Sequence, residues 1–61
     1  MNETKLKITR KQQGLTQKYV AKKAHVTTNC YQRYESGERE PKVSTAKLIA
    51  KALNSTVEEL F

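Results

Sequence analysis

The sequence predicts an all-α domain of five short helices, on three observations. Apolar residues recur three and four positions apart, with no strand-like alternation and no internal repeat. Thr16, Thr27, Ser44 and Thr56 stand before four of the expected helices, where a hydroxyl can accept from a backbone N–H that has no helical partner. Gly14, Gly37 and Pro41 fall where helices should stop. At 61 residues, 36% of them apolar, residues 1–61 are read as one domain with a thin core and little room for a catalytic cleft.

The first helix is expected over Glu3 to Gln13, with Leu6 and Thr9 three apart beside Ile8 and with Lys5, Lys7, Arg10 and Lys11 around them. Gly14 ends it, because a residue without Cβ adopts positive φ freely, and Leu15 tucks beneath the next helix. The second helix runs over about residues 16–23 from its Thr16 cap and buries Val20, Ala21 and Ala24. After a very short turn, a third runs over about 27–35 from Thr27, with Tyr31 and Tyr34 one turn apart on a single face. Tyr19, Tyr31 and Tyr34 are read as packing residues whose hydroxyls reach water or phosphate.

The polar stretch from Glu35 to Pro41 forms the one long connection. Ser44 is expected to cap a fourth helix whose Ala46, Ile49, Ala50 and Leu53 make one buried stripe, with Lys47 and Lys51 on the wet side. Thr56 and Glu59 suit a reciprocal capping box for a short fifth helix, from which Val57, Leu60 and Phe61 would cover the core or a partner.

Twelve Lys and Arg against six Asp and Glu give a net charge of +6, which favours a polyanionic partner, nucleic acid or an anionic membrane. No stretch is apolar for long enough to span a bilayer and the N-terminus lacks a secretory pattern, so a cytoplasmic protein without a membrane partner is expected. One cysteine, Cys30, and one histidine, His25, leave no internal disulfide and no tetrahedral metal set, and neither a cofactor nor a small-molecule ligand is indicated. No nucleophile with an adjacent base and no pocketed carboxylate pair can be assembled, which argues against an enzyme.

The third helix opens with Thr27, Thr28 and Asn29 and continues to Gln32 and Arg33, so its polar side chains share the face opposite Tyr31 and Tyr34. A core does not require that face. A helix fits the major groove of B-DNA, where each base pair shows a distinct set of donors, acceptors and methyl groups. Arg33 suits guanine O6 and N7, Asn29 suits adenine N6 and N7, and the threonine methyls suit a thymine methyl.

The sequence resembles the Cro and repressor type helix-turn-helix family through Gly14-Leu15-Thr16-Gln17, Ala21, Tyr34-Glu35-Ser36-Gly37, Pro41 and Ile49-Ala50-Lys51-Ala52-Leu53. The motifs cover nearly the whole chain, and their joint order and spacing are more specific than any one of them. The resemblance implies a compact five-helix lambda-repressor-like DNA-binding domain acting as a transcriptional regulator, a repressor of phage, mobile-element or bacterial type. It puts Thr27, Thr28, Asn29 and Arg33 on base-facing positions, with Gln32 beside them, and makes Gln17 a phosphate grip that braces the first reader.

By the same resemblance Arg10 and Glu35 form a partly buried structural ion pair between the first and third helices. Lys7, Lys11, Lys18, Arg39 and Lys42 become candidates for the phosphate-facing rim. Leu48, Val57 and Phe61 become candidates for a homodimer interface on double-stranded operator DNA.

Three residues depart from the family pattern or stand apart from it. His25 occupies a turn site where the family usually has glycine, and is read as a strained but tolerated positive-φ residue. Ser55 replaces an apolar residue and predicts a looser C-terminal segment. Cys30 lies one step off the reading face, where oxidation to a sulfenic acid would add bulk and make binding redox-sensitive, although an ordinary thiol with no sensing role is the simpler reading. The competing function is a protein-interaction module of the same fold, an antitoxin or coactivator-like adaptor using the apolar C-terminal surface.

Overall fold

Residues 4–61 are described by a computed structural model, in which five helices follow one another with no strand among them. They are α1 (Lys5–Gln12), α2 (Gln17–Lys23), α3 (Thr28–Ser36), α4 (Val43–Ala52) and α5 (Val57–Leu60). Glu3, assigned to the first helix by sequence, lies outside the described residues. The first helix takes its cap from Thr4, whose hydroxyl accepts from Lys7 N–H at 3.3 Å and donates to the Glu35 carbonyl at 2.7 Å. One side chain thus starts α1 and ties it to the end of α3.

Thr16, Thr27 and Thr56 cap as their sequence positions imply, accepting from Tyr19, Cys30 and Glu59 N–H at 3.0, 3.1 and 3.2 Å. Ser44 does not. Lys42 already has extended dihedrals and its carbonyl accepts from Ala46 N–H at 2.8 Å, so α4 starts at Val43 and Ser44 lies inside its first turn. Burial of Ala46 and Ile49 sets this register, since packing an apolar face outweighs a local capping preference. The capping box is half formed: Glu59 Oε2 accepts from Ser55 Oγ at 3.3 Å, one residue before the cap.

Helices α1 to α4 end by the same device. Gly14, His25, Gly37 and Asn54 all take positive φ, at 69°, 58°, 80° and 53°. The following N–H groups, of Leu15, Val26, Glu38 and Ser55, then return to the carbonyls of Arg10, Ala21, Arg33 and Ala50 at 2.8–3.2 Å. Histidine and asparagine are among the side chains that tolerate this region, which accounts for His25 in the turn between α2 and α3. Asn54 carries the same geometry without having been singled out by its sequence context.

The core gathers Leu6, Val20, Tyr31, Ile49 and Leu53, all essentially inaccessible, where α2 packs on α3 and on α4. Helix α5 closes it against α1 and α4, with Leu60 buried. Ser55 is hydrogen-bonded through both its backbone and its side chain, while Phe61, after the buried Leu60, is 48% exposed. Ile8 is 40% exposed: α1 turns Leu6 and Arg10 inward, four residues apart. Among the described residues, no helix is long and apolar enough to cross a membrane.

Candidate nucleic-acid interface

Helix α3 separates its residues cleanly. Tyr31, Tyr34 and Glu35 are buried, whereas Asn29, Gln32 and Arg33 are exposed and Thr28 is half-buried. At 100° per residue, Thr28, Asn29, Gln32 and Arg33 span about 140° of the helix circumference and so share one side of it. Thr27 precedes them as the cap. Its hydroxyl oxygen accepts from Cys30 N–H, which leaves its O–H and its methyl for a ligand.

A chain of polar contacts fixes this surface to the scaffold. Arg10 Nε meets Glu35 Oε2 at 2.5 Å, Arg10 Nη2 meets Oε1 at 3.3 Å, and Arg10 Nη1 donates to the Leu15 carbonyl at 2.7 Å. Glu35 Oε1 also accepts from Gln17 Nε2 at 3.1 Å, and Gln17 Oε1 accepts from Gln32 Nε2 at 3.1 Å. The ion pair expected from the resemblance is present and deeply buried, Arg10 at 9% and Glu35 at 4% exposure. Gln17 thus links Glu35 to Gln32 through its side-chain amide.

Burial alone would push the Glu35 carboxyl up. Hydrogen bonds from Arg10 and Gln17, the nearby Tyr31 hydroxyl and the Arg10 charge together outweigh it and hold the carboxyl below its ordinary value of 4.5. The Tyr31 hydroxyl lies in the same pocket, buried and completing no hydrogen bond of normal geometry, so it does not reach water. Burial first, and the neighbouring carboxylate second, raise its pKa. Tyr34 does find a partner, accepting from Cys30 Sγ at 3.2 Å, and Cys30 is half-buried against the core.

A carboxyl with a lowered folded-state pKa contributes stability that is present above its unfolded value and lost as pH falls through the folded one. Urea midpoints are therefore expected to hold between about pH 7 and about 5.5 and to drop below 4.5, the unfolded value for Glu35. In Glu35→Gln the midpoint should start lower and the acid limb should be visibly shallower. Parallel acid limbs in the two proteins would remove Glu35 as the titrating group.

Arg33 Nε lies 3.7 Å from Glu38 Oε2 with both side chains well exposed. Such a pair is loose, worth about 0–1 kcal/mol, and leaves the guanidinium able to exchange partners. Glu38 was not singled out from sequence. The left-handed turn at Gly37 folds its backbone onto Arg33, and only the sequence signal of a glycine-closed helix hinted at that return.

The rim candidates sit on four elements. Lys18 follows Gln17 in the first turn of α2, Lys42 caps α4, Arg39 is exposed in the α3–α4 loop, and Lys7 and Lys11 lie one turn apart on α1. The dimer candidates divide. Val57 and Phe61 line one surface cavity with Pro41, Val43 and Ala46, whereas Leu48 lines another with Tyr19. Tyr19, read from sequence as a packing residue, is 43% exposed there. Its spacing from Lys23, one turn on and off the Val20–Ala24 stripe, was the signal available.

The helix-turn-helix family model matches residues 6–60, from α1 to the end of α5. No curated protein and no solved structure matches the chain.

Proposed function

The chain belongs to the helix-turn-helix family of the Cro and repressor type, whose members bind double-stranded DNA and are typically transcriptional regulators, and from that premise we propose a sequence-specific repressor acting as a homodimer on an operator. The observation that carries this reading is the exposed polar face of α3, anchored through Gln32, Gln17 and Glu35 to a buried arginine. A surface held this way enters the major groove without first paying for its own ordering. Thr27, Thr28, Asn29 and Arg33 then read base edges, with Gln32 at their border. Gln17, Lys18, Arg39, Lys42, Lys7 and Lys11 serve the phosphates, and binding weakens steeply with salt.

Exposed Val43 and Phe61, beside Val57 and Pro41, give an apolar face of the sort that copies of a chain use to pair. Two recognition helices on one face of DNA require half-sites about 10 bp apart, centre to centre. Selection of bound duplexes from a random pool tests both parts. Recovered sites should be two-fold symmetric, and Arg33→Ala should lose about 1–3 kcal/mol of discrimination at one base pair of each half-site. An unselected pool would sink the reading, and a single unrepeated half-site would sink the dimer.

A further inference from the structure

We propose that the groove between α2 and α4 is a docking site for an acidic polypeptide segment of a partner protein. A surface cavity of about 390 Å³ forms it, and a second of about 490 Å³, along α2 and the turn at His25, adjoins it through Tyr19 and Lys23. Leu48 and Ala52 supply an apolar floor, and Lys22, Lys23 and Lys51 stand along the rim. Lys51 continues the surface into a third depression that also holds Lys47. No acidic side chain lines any of the three, although the cavities on the C-terminal side both include Glu40.

The charge here is uncompensated. Lys22, Lys47 and Lys51 make no ion pair among the described residues, and Lys23 instead places its ammonium 5.6 Å from the Tyr19 ring centre. A row of unpaired lysines over an apolar floor complements carboxylates alternating with aliphatic side chains. Nucleic acid suits the groove less well, because Tyr19 is the one aromatic ring that lines it and a base stacking there would compete with the Lys23 ammonium, 5.6 Å from the ring centre. No residue of α3 lines the groove, so the site stands independently of DNA reading and leaves the recognition helix uncovered.

The test uses the whole chain and a short synthetic peptide alternating glutamate with leucine, followed by amide chemical shifts. Shifts are expected at Tyr19, Lys23, Leu48 and Lys51, with little change along α3. The variant K23Q/K51Q should weaken binding at least roughly fivefold, whereas the charge-matched K5E on α1 should not. A peptide with glutamine in place of glutamate, oligouridine and phosphatidylglycerol vesicles run in parallel. The proposal is overturned if the glutamine peptide binds equally, if oligouridine or vesicles bind the groove more tightly, or if the acidic peptide perturbs α3 instead.

Discussion

Glu35→Ala is expected to destabilise the domain by roughly 3–5 kcal/mol in urea unfolding, because it leaves the Arg10 guanidinium buried with only the Leu15 carbonyl as partner. A chain of this length has a total stability of roughly 3–9 kcal/mol at the usual value per residue, so much of the population should be unfolded at 37 °C. The paired change Arg10→Met with Glu35→Leu separates charge burial from shape. Replacing both partners by apolar groups should recover most of the stability, since neither charge is then stranded. It should not recover DNA discrimination, because Gln17 loses the acceptor that holds it against Gln32. If the paired variant binds its operator like the parent, the polar chain has no part in presenting α3.

Ile49→Ala should cost about 2–5 kcal/mol, through lost transfer energy and the cavity left in the middle of α4. Ile8→Ala should change stability by no more than about 0.5 kcal/mol. The two isoleucines are chemically the same and both stand in helices. They differ in accessibility, 0% for Ile49 against 40% for Ile8. Paired urea or thermal unfolding checks the contrast, and equal losses would mean that α1 is oriented otherwise.

Much of the fold was legible because its signals are local. A threonine hydroxyl reaches an N–H three residues on, and a glycine adopts positive φ, whatever the rest of the chain does. Thr16, Thr27, Thr56, Gly14 and Gly37 behave accordingly. Ser44 marks the limit, since burying Ala46 and Ile49 moved the cap of α4 two residues ahead, to Lys42. The polar face of α3 was equally legible, because a helix places residues 28, 29, 32 and 33 together by its own geometry.

Three relations were not legible, because none of them follows from the pattern within a single helix. The bridge from Glu35 through Gln17 to Gln32 needs α2 and α3 at a fixed separation. Glu38 reaches Arg33 only through the turn at Gly37. Tyr19 became a groove wall once α2 settled on α4. By itself, the sequence determined where the helices begin and end in outline and which residues α3 offers outward, since those follow from hydrogen bonding within a few residues. Tertiary structure decided which apolar and charged side chains are buried, and so which groups are rigid, because burial depends on how whole helices pack and no window along the chain contains both partners.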